Sequence, residues 1–231
     1  KLVAACTGLD VLTHALESLT ALPYGQRDAP EHPRLRPAYQ GANPISDIWS
    51  TRAVELVARH LTRALADPAD DEARGAMLLA ATYAGIGVGN AGVHLPHAMS
   101  YAVAGLCHSF TAKGYEQTPP MVPHGLSVVL NAPSAFRFTA QACPERHRDC
   151  AKALGADCEG DDAGEALAQG LIRLMRAAGL PNGLGALGYG VQNIDALAKG
   201  AATQPRLLNN APRPVDEAAL WAIFQDALAL W

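Results

Sequence analysis

Gly92-Val93-His94-Leu95-Pro96-His97-Ala98-Met99-Ser100-Tyr101, followed after a loop by Val122-Pro123-His124-Gly125, is the stretch around which this chain is organised. His97 and His124 sit in apolar sequence punctuated by glycine and proline, each at the start of an expected helix. A lone histidine in such a place is most often a satisfied core residue. Two on neighbouring helices, with an acid–histidine pair elsewhere, point to convergence on one divalent metal. That pair is Asp10 and His14, four residues apart and therefore on one face of an expected helix. Taken alone it reads more readily as a solvent-facing pair.

Working outward, the first helix starts at Thr7 or Gly8, carries the stripe Leu9, Leu12, Thr13, Leu16 and Leu19, and stops at Leu22-Pro23. Residues 24–43, rich in Pro, Arg and Gly, form a long irregular excursion. Its Arg27, Arg34 and Arg36 are either solvated or placed to meet an acidic substrate. Asn43-Pro44-Ile45-Ser46-Asp47 opens a helix to Ala66, with Ser46 as N-cap and Asp47 in the first turn. Asp70 or Asp71 caps the next, over 72–90. Gly85, Gly87 and Gly89 weaken its second half by roughly 1 kcal/mol each relative to Ala, a cost that suits close approach by another backbone or a ligand. Further helices are expected over 95–106, 123–138, 144–154 and 163–178, then a short one from Asn193 and a last one from Asp216 to Trp231. No convincing strand, repeat or dinucleotide-type glycine loop is present, so an all-α bundle over residues 1–231, as a single helical metal-binding domain, is expected.

Composition narrows the function classes. With 231 residues, 49% hydrophobic and 17% charged, the chain can bury a sizeable core. A net charge of −4 argues against a nucleic-acid surface. No apolar run is read as approaching a bilayer span, so no membrane partner is expected. Five cysteines without a CxxC pair signal buried thiols in a reducing compartment, cytoplasmic or, in a eukaryote, the mitochondrial matrix. His32, His60 and His147, beside prolines or arginines, are expected to face solvent. Three neutral imidazoles with one carboxylate suit Fe²⁺ or Zn²⁺ as Lewis acid on a substrate oxygen. HExxH is absent, so a metalloprotease has no support.

The ordered set Asp10-xxx-His14-Ala15-Leu16-Glu17, His97-Ala98-Met99-Ser100-Tyr101 and Pro123-His124-Gly125 resembles the iron-containing (group III) alcohol dehydrogenase family. Asn43-Pro44-Ile45-Ser46-Asp47, the run from Ala84 to His94, Arg36-Pro37-Ala38-Tyr39-Gln40-Gly41 and Pro144-Glu145-Arg146-His147 resemble its hydroxyacid–oxoacid transhydrogenase branch. The resemblance implies a dehydroquinate synthase-like helical lobe with Asp10, His14, His97 and His124 as metal ligands. Many members carry a histidine one turn after the third ligand. Here that position is Tyr101, which either lines the substrate pocket or packs as a core aromatic; His94 has no ligand role by this match.

By the same resemblance, NAD(P) is held by an N-terminal α/β lobe, expected to be absent from this chain. The chain alone is then expected to bind metal without catalysing hydride transfer, and to associate with itself or with a nicotinamide-binding lobe. A small alcohol or hydroxyacid is the expected substrate. The alternatives are a stand-alone helical domain with another metal-dependent activity, lyase or hydrolase, and a non-catalytic interaction domain.

Overall fold

The computed structural model describes residues 1–113, 119–156, 158, 160 and 162–231. Of the loop expected over 107–121, residues 114–118 lie outside the described residues. Among the described residues there is no strand, only two isolated bridges, Pro23–Ala42 and Thr111–Met121, so the fold is all-α as expected.

Helix α1 (Leu2–Thr20) is the centre of the molecule. It starts earlier than Thr7 because the alanines ahead of the leucine stripe already propagate a helix. Leu9, Leu12 and Leu16 are fully buried on it. Its length and hydropathy suffice by themselves to cross a bilayer, which corrects the expectation that no run approaches that length. With 61% of that stretch buried against neighbouring helices, and with Asp10 and Glu17 on it, it serves as a core helix.

Helices α2 (Pro44–Ala66) and α3 (Asp71–Ala91) form an antiparallel hairpin packed on α1. The N-cap of α2 is Asn43, not Ser46. Its side chain accepts from the N–H groups of Ile45 and Ser46, and Pro44 takes the first helical position, where its fixed φ fits and no N–H is missed. Asp70 caps α3 through the Ala73 N–H. Of the three expected close-approach glycines only Gly87 is one: a Cβ there would lie 2.1 Å from Ser50 Oγ on α2. At Gly85 and Gly89 a Cβ would meet nothing within 4 Å.

The chain then bends by 103° into α4 (Leu95–Gly105). Gly92 makes the corner with φ +83°, and a Cβ there would fall 2.1 Å from the Tyr39 ring. The 24–43 excursion straps this corner. Gln40 and Gly41 donate to the carbonyls of Asn90 and Ala91, and Asn210 Nδ2 donates to those of Ala91 and Val93. Arg27 is part of the strap, donating to the Gln40 carbonyl and the Asn210 side chain, while Arg34 and Arg36 are exposed.

The single helix expected over 123–138 is two, α5 (His124–Val129) and α6 (Ala132–Thr139). Pro133 explains the break, since it offers no N–H to the carbonyl four residues back and its ring crowds that turn. Helices α7 (Pro144–Ala153) and α8 (Ala163–Ala178) pack on each other, α8 packs on α6, and α9 (Ile194–Ala202) packs on α4. After the short α10 (Pro205–Leu208), α11 (Glu217–Asp226) is capped by Asp216 as expected. It ends before Trp231 because the carbonyls of Ala227 and Leu228 turn to accept from Leu184 and Gly185.

His147 is fully buried, against the expectation that its arginine neighbours would carry it to solvent. Arg146 pairs instead with Asp47, and the His147 ring turns inward to Thr139 Oγ1 at 2.9 Å and the Phe136 ring. His60 is half-buried rather than exposed, and His32 is exposed as expected. None of the five cysteines forms a disulfide; Cys6 and Cys150 are buried, and Cys107, Cys143 and Cys158 only partly so.

Phe136 lies between the rings of His147 and His94, both fully buried. Burial pushes both histidines down to about 4. The unfolded chain therefore takes up protons near pH 6.5 that the native state refuses until about pH 4. Stability is full above pH 6.5 and falls as the pH drops towards 4, by on the order of 3 kcal/mol per histidine. The urea midpoint at pH 4.5 is expected well below that at pH 7.5, and His147→Gln is expected to remove about half of the difference, His94 keeping the rest.

Candidate metal centre

The centre is built on one face of α1. Asp10, His14 and Glu17 follow one another at four and three residues, so their side chains stack along that face. α4 meets it with its N-terminal turn, bringing His97, and α5 meets it with its first residue, His124. The α5 approach is close because of Gly125, whose Cα faces the Cys6 carbonyl of α1.

The ligand-type atoms of Asp10, His14 and His97 all lie within 4.8 Å of one another. His97 Nε2 is 3.5 Å, and His14 Nδ1 3.8 Å, from Asp10 Oδ1. The His14 and His97 rings are 4.4 Å apart between centroids. His124 stands at the rim: its side chain is 55% exposed, with Nε2 3.8 Å from Asp10 Oδ2 and its ring 5.5 Å from that of His97. The structure thus gathers three of the sequence-derived ligands tightly and places the fourth beside them.

Two atoms in this cluster are buried without a hydrogen bond, Asp10 Oδ1 and His97 Nε2. Buried polar atoms are nearly always paired, because leaving one unmade costs about 1–3 kcal/mol. Two orphans facing each other across 3.5 Å, with a second imidazole nitrogen alongside, fit a divalent cation. Without a cation, a charged His97 ring meets Asp10 across the same gap only as a long ion contact at 3.5 Å. Burial raises the Asp10 pKa, but the imidazoles of His97, His14 and His124 outweigh it and hold the carboxyl below its ordinary range. Burial, with the neighbouring His97, keeps His14 low and so neutral. Burial pushes His97 down, yet the carboxylates of Glu17 and Asp10 bring it up to about 9, so a cation taken at Nε2 displaces a proton.

Glu17 joins the cluster although nothing in its sequence pattern assigns it a role. It is fully buried, accepts from the backbone N–H groups of His94 and His97, and pairs through Oε2 with His97 Nδ1. Its position three residues after His14 is the one signal that could have found it. The His94 ring lies outside the cluster and bonds Thr20 Oγ1 at 3.0 Å; only its backbone N–H reaches Glu17. Tyr101, one turn beyond His97, is 48% exposed and is not packed as a core aromatic. Cys143 Sγ lies 3.5 Å from His147 Nδ1, but burial pushes the thiol up to about 11, which leaves no activated nucleophile.

Residues 38–228 match the Fe-containing alcohol dehydrogenase family, C-terminal. The chain is 50% identical to hydroxyacid-oxoacid transhydrogenase, mitochondrial, of Bos taurus over 99% of its own length and 50% of the relative's. It therefore spans about half the length of such relatives. Among solved structures it resembles 1,3-propanediol oxidoreductase, with a TM-score of 0.78 and 28% identity over 96% of this chain and 51% of that one. It also resembles an alcohol dehydrogenase from Oenococcus oeni, with a TM-score of 0.79 and 25% identity over 97% of this chain and 51% of that one. The all-helical fold, the cluster on α1 and these matches together make this chain a member of the iron-containing alcohol dehydrogenase family, corresponding to its C-terminal helical lobe.

Proposed function

We propose that Asp10, His14, His97 and His124 hold one Fe²⁺ or Zn²⁺ and that the chain is the metal-binding half of a nicotinamide-dependent hydroxyacid or alcohol dehydrogenase, of the hydroxyacid–oxoacid transhydrogenase type. The observation that carries this reading is the pair of facing, unpartnered buried atoms, Asp10 Oδ1 and His97 Nε2. A divalent cation held there supplies a Lewis acid for the hydroxyl or carbonyl oxygen of the substrate. The residues of this chain do the remainder. Asp10 would bring the one negative charge among the ligands, so that a divalent cation held there would keep net positive charge. Exposed His124 marks an open side from which a substrate enters; Tyr101, exposed one turn after His97, is assigned the orienting of a short carboxylic acid on the strength of that position alone. The buried flank of α1 and α4 keeps water from the other side.

Oxidising a hydroxyl carbon releases a hydride and a proton. The hydride acceptor, NAD(P), is assigned to the part of the relatives' length that these 231 residues do not match. On this reading the chain works against such a lobe, its own or a partner's, and a eukaryotic source places it in mitochondria as in the relatives. The test uses the purified chain loaded with Fe²⁺ or Zn²⁺ and given a short hydroxyacid with NAD⁺ or NADP⁺. No reduced nicotinamide is expected from the chain alone, and turnover is expected once a nicotinamide-binding lobe is added. Hydride transfer by the 231 residues alone would overturn the division of labour.

A further inference from the structure

We propose that Glu17 is the positioning residue of this centre: its carboxylate holds the His97 ring with the proton on Nδ1, leaving the Nε2 lone pair for the cation, and docks the first turn of α4 onto α1. The inference rests on the metal-site reading and adds to it a residue that touches no metal.

Three observations carry it. First, Glu17 is fully buried, and its hydrogen bonds all go to one place, the N-terminal turn of α4. Its ion pair is with His97, not with a Lys or Arg. Second, that turn has no cap of its own. His94 stands at the N-cap without a side-chain cap bond, and Pro96 has no N–H. The Oε1 atom of Glu17 accepts from His94 N at 2.8 Å and His97 N at 3.3 Å, doing from another helix what a capping side chain does locally. A carboxylate at a helix N-terminus also meets the favourable end of the dipole.

Third, the remaining oxygen, Oε2, faces His97 Nδ1. An ionised carboxylate can only accept, so Nδ1 must donate. In the neutral ring the other nitrogen then carries the lone pair, and Nε2 is the atom that faces Asp10 across 3.5 Å. Both Glu17 oxygens face nitrogen donors, which is what an acceptor-only carboxylate needs. Asp10, His14 and Glu17 lie on the same face of α1, so one helix supplies two ligands and the support of the third. Outer-shell partners of this kind fix ligand orientation in metal sites generally.

Glu17→Gln separates these roles with almost no change of shape. The single amide oxygen is claimed by the two backbone N–H groups, which leaves the NH₂ facing Nδ1. That nitrogen must then accept, and the ring proton moves to Nε2, where it blocks the ligand position. Zinc affinity by chelator competition is expected to fall about 10–100-fold, with the helical circular dichroism retained. Ring-nitrogen NMR of the metal-free proteins at pH 10 is expected to place the His97 proton on Nδ1 in the wild type and on Nε2 in Glu17→Gln. Equal zinc affinity in the two proteins, or a wild-type proton on Nε2, would overturn the inference. Should Glu17→Gln not fold, the wild-type ring alone decides. Because that reading needs no metal, it tests Glu17 even where zinc uptake, and the metal-site reading with it, fails.

Discussion

Replacing His97 with alanine is expected to abolish metal binding and to destabilise the chain as well, whereas His14→Ala is expected to abolish metal binding with much less loss of stability. The two histidines differ in what lies behind them. His97 is almost fully buried, with one ring nitrogen towards Asp10 and the other on Glu17. Its removal strands the Glu17 carboxylate with only two backbone donors at its other oxygen. Breaking a buried pair by deleting one partner costs about 3–5 kcal/mol. His14 is partly exposed, with a side-chain accessibility of 29%, and its one carboxylate contact, Asp10 Oδ1 at 3.8 Å, is longer than a hydrogen bond. For either variant the loss of metal affinity is expected to exceed about 100-fold, the upper end for removing an outer-shell partner. Thermal melts with and without zinc separate the effects. In the wild type, zinc at 100 times its Kd adds about 2.7 kcal/mol of stability, and in both variants the zinc-dependent shift is expected to vanish. A His14→Ala protein that still gains stability from zinc would remove His14 from the site.

The second large effect is expected at Gly125. A Cβ there would lie 2.1 Å from the Cys6 carbonyl oxygen and 2.9 Å from Asp10 Cβ, both fixed on α1. No side-chain rotation relieves a clash with backbone, so α5 must lift from α1 and carry His124 away from Asp10. Overpacking of this kind costs about 3 kcal/mol, which for a chain of this size lowers Tm by roughly 6–12 °C. Gly125→Ala is therefore expected to melt early and to bind zinc more weakly than wild type. Gly85→Ala is the control: a Cβ there meets nothing within 4 Å, and the helix gains up to about 1 kcal/mol. A Gly125→Ala protein that melts with the wild type would mean that α5 is not seated on α1 as described.

Much of the fold and of the centre is legible in the amino-acid sequence. The leucine stripe of α1, the Asp70 and Asp216 caps and the proline stops specify an all-α chain with most helices in place. The four-residue spacing of Asp10 and His14, and the placing of His97 and His124 at helix starts, name the residues that the fold brings together. Where sequence expectation and structure part, tertiary packing decides what local composition does not. His147 sits between two arginines, yet a helix turns about 100° per residue, so Arg146 reaches Asp47 while His147 faces Phe136. Ser46 has the residue type of a cap, but Asn43 followed by Pro44 is the stronger pattern. Pro133 splits the α5–α6 region even though the apolar residues around it keep a helical period. Glu17 is hidden for the opposite reason. A glutamate in a leucine-rich helix reads as a solvated side chain, and only the arrival of α4 from 77 residues away gives it donors.

The most direct test of the metal centre is anomalous diffraction from crystals of the chain loaded with zinc. A single strong peak is expected between α1, α4 and α5, with Asp10, His14, His97 and His124 as its protein ligands at about 2.0–2.2 Å. A peak elsewhere, or none after loading, would contradict the assignment of this cluster as the metal site.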